Sequence, residues 1–404
     1  MLTKQVQHSK ILHQGIQALR TDLKHIGMLR SMSTSCKLLN DENAKVQYCH
    51  HTDDVFEFKL NVNKTLNSID DDMCKLVIAK LKEWKHGDSK PKAVMISGTG
   101  GKAFCAGGDI VSLYRAEKGE AGFDPIIKRT FFETEYIMDY NLTQMSPVQI
   151  AIWNGIVMGG GVGVSCHSPI RVATDNTMYA MPETAIGFFT DVGGSYFLPR
   201  INNNVSLGLY LGLTGYRLKA KELVKWGVAT HFVPADKIDT LKADLSSNVT
   251  SSSSQADIEG IVARHADQSA GSEPIKNIDE INKHFKADGT IHDIINGLEN
   301  SGCEFSKQTL KTFKHMSPLS LGVVFEQIKR GQSMNLAEVF EMEFNISQGF
   351  MSHTEFFEGV RALLVDKDRN PQWKHKSIHE VTQDEINWFF NFRNPDLPKI
   401  DLEI

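Results

Sequence analysis

Two acids, Glu183 and Asp191, lie between Trp153 and Arg200 in a stretch that carries little other charge and holds three adjacent glycines, Gly159, Gly160 and Gly161. A sparsely solvated carboxylate acts as a base or as a nucleophile. A glycine leaves backbone amides open to a ligand, because no Cβ stands in the way. Amides freed by such a turn hold an oxyanion. A second glycine-rich loop, SGTGGKAFCAGGDI from Ser97 to Ile110, also leads from a strand into a helix. Two such loops can supply two N–H donors to one carbonyl oxygen. Each donor is typically worth ~2.7–4 kcal/mol of transition-state stabilisation. The pattern points to chemistry at a carbonyl.

Phosphate binding is the competing use of a glycine-rich turn, and the spacing argues against it. The P-loop pattern fails because Ala103 follows Lys102, and no G-x-G-x-x-G opens the next helix. What remains is a backbone-exposing turn at Cys105–Asp109, whose plain alternative is an ordinary tight turn.

The elements that must position these residues alternate between β and α. Val55–Leu60, Ala93–Gly98, Val148–Trp153, Ile170–Ala173 and the Met178–Met181 region read as strands. Ser68–Trp84 reads as a helix with Ser68 as N-cap and three aspartates in its first turn. Gly155–Cys166 turns into a helix, and Gly208–Val228 reads as helical. The polar stretch Ser246–Gln255 reads as a surface insertion without a packing role. Beyond Ile275 helical patterns dominate, at Ile278–Phe285, Ile291–Leu298, Ser306–Lys314, Leu319–Lys329 and Leu336–Phe350. The expectation is a mixed α/β core over residues 46–245, with a mostly helical region over 246–404 closing the site.

The bulk properties agree. At 404 residues the chain exceeds the usual single-domain size. Its 41% apolar and 23% charged content is that of a soluble globular protein. A net charge of −5 gives no global reason to expect nucleic acid or a membrane surface as partner. The six cysteines form no C-x-x-C pair, so reduced thiols fit better than a disulfide framework or a metal site. Residues 1–40 differ in kind: Lys4, Lys10, Arg20, Lys24, Arg30 and Lys37 face a single acid, Asp22, and serines follow. Basic, amphipathic and acid-poor is the composition of a mitochondrial transit segment.

KAFCAGGDI, MGGGVG, MPETAIG and DVGGSYFLPR together resemble the crotonase (enoyl-CoA hydratase/isomerase) superfamily. The MPETAIGFF and DVGG stretch and the tail FFEGVRALLVDKDRNPQWK, Phe356–Lys374, are similar to the branch that hydrolyses 3-hydroxyisobutyryl-CoA in valine breakdown. The resemblance runs from about residue 50 to the C-terminus. It implies a crotonase-type α/β spiral of ββα turns in two sheets. It also implies an acyl-CoA substrate, and no cofactor besides the CoA that the substrate brings. The resemblance puts the oxyanion hole at the amides of Gly108 and Gly160, and the acyl pocket at Glu135, Glu183 and Asp191. It further implies a mitochondrial matrix location. Hydratases of the superfamily need a second glutamate shortly after the glycine triplet, and here that position is Gly163. Three departures touch the pattern. Asn61–Asn67 lacks an arginine and a proline expected near the CoA site, Thr190 and Ser195 replace a proline and a glycine, and Asn345 stands where relatives carry arginine.

Each residue also has a plainer reading. Glu183 suits a salt-bridged surface acid, Asp191 a turn ahead of Gly193 and Gly194, and Glu135 a solvated helix face. Cys166 and His167 are adjacent on a helix and so point apart. Cys105 reads as a small buried hydrophobe. Arg361 and Lys367 read as surface residues, with a CoA-phosphate role as the alternative. Two other functions stay open: a hydratase or isomerase of the same superfamily, and a non-catalytic acyl-CoA-binding protein.

Overall fold

Three consecutive strands explain the architecture. In β3 (Val55–Leu60) Val55, in β4 (Ala93–Gly98) Ala93 and Met95, and in β6 (Val148–Trp153) Ile150 and Ile152 join one apolar cluster; their neighbours Phe56, Phe58, Val94, Ile96, Ala151 and Trp153 join another. Successive strand residues point to opposite faces, so strands that carry apolar side chains on both faces belong in a sheet covered on both sides.

The computed structural model describes residues 36–87, 90–393 and 399–404. Its strands are β1 (Lys37–Leu38), β2 (Val46–Thr52), β3 (Val55–Leu60), β4 (Ala93–Gly98), β5 (Ala103–Cys105), β6 (Val148–Trp153), β7 (Ile156–Met158), β8 (Ile170–Ala173), β9 (Met178–Ala180), β10 (Leu218–Lys219) and β11 (His231–Phe232). One sheet has the order β1-β2-β3-β4-β6-β8-β11, the other β10-β9-β7-β5. From β3 to β11 the first sheet is parallel. Each turn of the chain lays one strand in the large sheet, the next in the small one, and then a helix. Thus β4 and β5 are followed by α1 (Ile110–Glu117) and α2 (Ile127–Gln144), and β6 and β7 by α3 (Gly160–Cys166). This is a spiral of ββα turns, as the resemblance implies.

The structure corrects several local expectations. The helix before β4 spans Asp71–His86, and Asp70 rather than Ser68 caps it, accepting from the Met73 amide. The Ser68 hydroxyl instead donates to the Thr65 carbonyl. The segment 208–228 is not one helix: Val205–Thr214 ends at Gly215 in the left-handed region, and β10 and a short helix, Glu222–Lys225, follow. Ser246–Gln255 is no idle insertion. It joins Ile238–Asn248 to Gln255–His265, the helices whose Leu241, Leu245, Ile258 and Val262 cover the outer face of the large sheet. Within it Ser254 forms a capping box with Asp257.

The C-terminal helices share the main core with the spiral. One apolar cluster runs from Val46 to Leu402 and takes in Leu321, Phe340, Phe350 and Phe389. Most of the segment that the sequence reads as a targeting signal lies outside the described residues. Its last residues do not: β1 pairs antiparallel with β2, and Leu39 donates to the Tyr48 carbonyl.

Candidate active site

The two glycine-rich loops meet. A Cβ placed on Gly160 would stand 3.3 Å from the Gly108 amide nitrogen. Gly160 is the first residue of α3, so its N–H has no acceptor within the helix. Among the described residues the Gly108 N–H has no partner either. Close approach depends on absent side chains: a Cβ at Gly108 would lie 2.9 Å from the Phe131 ring, and one at Gly161 would lie 2.8 Å from Cys105 Cβ. Cys105 itself is buried, its thiol directed at the Gly107 carbonyl at 3.5 Å and pushed up to about 12 by burial. It is packing, not a nucleophile.

Two carboxyl groups flank these amides. Glu183 Oε1 lies 3.3 Å from where a Gly159 Cβ would stand, and Glu135 Oε1 comes against the Gly160 position. Glu183 opens a 3-10 turn, Glu183–Ile186, that ends at Gly187 in the left-handed region. Phe188 and Phe189 follow and anchor the loop: Phe188 stacks on Phe132 of α2 at 5.3 Å, and Phe189 stacks on Phe350 at 5.7 Å. Glu135 also comes from α2, so one helix holds both the loop and an acid.

Asp191 is held by Tyr136, whose hydroxyl donates to Oδ2 at 2.8 Å. The next residue, Val192, has φ +55°. A β-branched residue in the left-handed region is a genuine outlier, of a kind that clusters at functional sites. Here the turn is clamped from behind. Glu343, in helix Leu336–Met351, accepts the amides of Gly193 at 2.7 Å and Ser195 at 2.8 Å. Gln327 donates to the Thr190 carbonyl and hydroxyl and to the Ser195 hydroxyl. The two departures at positions 190 and 195 thus share one buried amide. Asn345, the third, donates to the Glu341 carbonyl of its own helix and takes no part in the site.

All the sequence-chosen acids are buried: Glu135 is 2% exposed, and Glu183 and Asp191 5% each. The surface reading of Glu183 and the solvated-face reading of Glu135 therefore fail. The structure adds two acids that the sequence does not single out, Asp139 and Glu343, both wholly inaccessible. Among the described residues no lysine or arginine pairs with any of the five. Burial, reinforced by the charge of Asp191, pushes Glu135 and Glu183 well above the usual carboxylate range. Burial raises Asp191 to about 7, against the lowering effect of the Tyr136 hydrogen bond. It raises Glu343 to about 8 despite the two amides. Strongly displaced acids around free amide donors are a signature of functional sites.

Asp139 lies one turn beyond Glu135 on α2, a spacing that places both on one helix face. Its Oδ2 fills the space beside Gly163, where a Cβ would also stand 2.6 Å from Val192 Cβ. Position 163 has no room for a side chain. The i, i+4 acids of FFETEYIMD are the signal that could have pointed to Asp139. Glu343 had none, since its role rests on a contact across 150 positions.

Other candidates fall away. Cys166 is buried, His167 is partly buried, and the two do not pair. His167 is pushed down to about 4 by burial, and its Nε2 is where a Gly193 Cβ would be. Arg361 is already engaged by Glu358, Asp366 and Asp368 at 2.7–2.8 Å, which folds the tail segment on itself.

Comparison with known proteins agrees with this geometry. The family model described as Enoyl-CoA hydratase/isomerase matches residues 55–390. A Dictyostelium discoideum protein named 3-hydroxyisobutyryl-CoA hydrolase, mitochondrial, is 42% identical over 385 residues, covering 92% of this chain and 96% of its own. The Homo sapiens protein of the same name is 40% identical over 336 residues, covering 82% and 84%. Among solved structures, a carnitinyl-CoA dehydratase from Mycobacterium thermoresistibile superposes with TM-score 0.77 at 30% identity, over 89% of this chain and 99% of that one. By fold, by paired glycine loops and by sequence, the chain belongs to the enoyl-CoA hydratase/isomerase family, the crotonase superfamily.

Proposed function

We propose that this protein hydrolyses the thioester of 3-hydroxyisobutyryl-CoA, releasing 3-hydroxyisobutyrate and free CoA. The observation that carries the reading is the convergence of the unengaged Gly108 and Gly160 amides with the Glu183 carboxyl. The names of the two relatives support the substrate. In this reading the thioester oxygen lies between the two amides, which take up the charge that develops as the carbonyl carbon becomes tetrahedral. Glu183, in its ionised form, either attacks that carbon or draws a proton from the attacking water. Asp191 binds the 3-hydroxyl of the substrate, and Glu135 lines the acyl pocket. The C–S bond breaks as the tetrahedral centre collapses. In the general-base route the sulfur takes up the proton that Glu183 drew from water. In the nucleophilic route the thiolate leaves and takes a proton from solvent, after which water hydrolyses the mixed anhydride and restores the Glu183 carboxylate. No cofactor is called for, since CoA arrives with the substrate.

Hydration of an enoyl thioester is the rival reaction. It needs a second carboxylate after the glycine triplet, and Gly163 supplies none and admits none. Free-thiol release from 3-hydroxyisobutyryl-CoA, measured beside crotonyl-CoA hydration, decides between them. Thiol release far faster than hydration is expected, and hydration at an equal rate would overturn the assignment.

We also place the protein in the mitochondrial matrix. The relatives named mitochondrial support this, as does the basic, acid-poor composition of residues 1–40. N-terminal sequencing of protein from isolated mitochondria should find a start beyond Arg30. A mature chain starting at Met1 would refute the transit segment.

A further inference from the structure

Asp139 is a wholly buried carboxyl, and among the described residues neither of its oxygens has a hydrogen-bond partner. Such a group is costly to keep, because its charged form is neither solvated nor paired. Its surroundings offer no relief. From its own helix it faces Glu135, and from the loop Asp191. From the helix Leu336–Met351 it faces Glu343. The thiols of Cys74, Cys105 and Cys166 face it from the helix Asp71–His86, from β5 and from α3. The Tyr136 phenol, one turn back, is already given to Asp191. No cation stands among these groups. Its Oδ2 stands beside Gly163, at a position that Val192 Cβ also approaches.

Like charges packed together in a dry site cannot all ionise, and the proton goes where no donor stabilises the anion. In the trio of Glu135, Asp139 and Asp191, only Asp191 has a side-chain donor. We propose that Asp139 is a positioning residue for the hydrolysis: held as the neutral acid behind Gly163 and Val192, it backs the strained turn that aims Asp191 and leaves Asp191 to carry the negative charge. This rests on the hydrolytic reading of the site and adds a residue to it. Ionisation of Asp139 at higher pH puts a second charge behind the ionised Asp191, and the repulsion between them disturbs the turn that aims Asp191 and slows the reaction. Burial and the charges of Glu135 and Asp191 hold the Asp139 carboxyl well above its usual range, in keeping with this role.

The test uses Asp139→Asn, which keeps the shape of the neutral acid and cannot ionise, with Asp139→Leu as a second variant should the amide disturb folding. An acid raised in the folded state favours folding at low pH, and that contribution is lost as pH climbs from the unfolded value through the folded one. The folding equilibrium of wild type should therefore fall behind that of either variant by up to tenfold per pH unit above about 4, until Asp139 itself titrates. In kcat/KM for 3-hydroxyisobutyryl-CoA, the alkaline decline of wild type should move up by at least one pH unit in Asp139→Asn, with the change in kcat rather than KM. A stability gap that stays constant with pH would show that Asp139 holds no buried proton. A widening gap with superimposable rate profiles would show that the proton has no bearing on the reaction. Either result overturns the proposal. If wild type releases no thiol at any pH, the functional reading has failed, and the melting curves still decide whether Asp139 holds its proton.

Discussion

The hydroxyl of Tyr136 donates a 2.8 Å hydrogen bond to Oδ2 of Asp191, joining the middle of α2 to a loop 55 positions later. The bond favours the ionised carboxylate in a place where burial disfavours it, and the balance leaves Asp191 near 7. Its neighbours Glu135 and Asp139 face the same burial without a donor. The phenol, with the Asp191 backbone amide, therefore distinguishes Asp191 from two neighbours whose burial is relieved by no hydrogen bond.

Tyr136→Phe should move the titration of Asp191 upward. A hydrogen bond to a charged group is worth about 1.5–3 kcal/mol, so the rising limb of kcat/KM should shift from near 7 by roughly one unit or more. Asp191 is raised above its ordinary 3.8. It thus favours folding at acid pH, and that contribution is lost between about 4 and 7. In Tyr136→Phe the loss should continue to higher pH. Unmoved rate and melting profiles would mean that the phenol does not control Asp191.

Glu183→Gln should leave the fold intact, because Glu183 Oε2 has no partner to lose. Thiol release should nevertheless fall by the ~10²–10⁴-fold typical of a lost general base. A folded variant that keeps turnover within a few-fold of wild type would remove Glu183 from the chemistry.

Asp191→Asn separates recognition from chemistry. A site that hydrogen-bonds a hydroxyl can reject the analogue lacking it by as much as ~10⁴-fold. If Asp191 holds the 3-hydroxyl, the ratio of kcat/KM for 3-hydroxyisobutyryl-CoA over isobutyryl-CoA should fall toward one in the variant. Both rates falling by a similar factor would assign Asp191 to the water or the leaving group instead.

Gly163→Glu should not create a hydratase. Its Cβ would collide with Asp139 Oδ2 and lie 2.6 Å from Val192 Cβ. Overpacking typically costs ~1–3 kcal/mol, and the new carboxyl would join an already crowded set of acids. A lower melting temperature is expected, together with slower thiol release and no crotonyl-CoA hydration. Efficient hydration by a stable variant would show that the site accommodates a carboxyl there after all.

Much of the site was legible from local chemistry. Glu183, Asp191 and the two glycine-rich turns stand out because glycine and isolated acids in apolar runs carry a backbone or solvation requirement that sequence alone displays, whereas the choice of Gly108 and Gly160 within those turns comes from the family resemblance. The strands Val55–Leu60, Ala93–Gly98, Val148–Trp153 and Ile170–Ala173 fall where alternation, in the first, and the pattern of apolar residues in the others predict. Elements that depend on little local signal were harder to read. β7 has only three residues, and a helix cap can pass from Ser68 to Asp70 at small energetic difference.

What the sequence by itself determined was the backbone menu: where amides are exposed, where strands run, and which acids sit among apolar neighbours. Only the tertiary structure decided which carboxyl groups share one dry volume. Glu135 and Asp139 belong to a helix that also carries Glu133 and Lys128, and nothing in periodicity says which face meets the α3 turn. Glu343 reaches the site from 150 positions away. A proton's preference for one acid over another depends on distance, desolvation and the nearest donor, and those quantities come into being when the spiral closes and the C-terminal helices cover it.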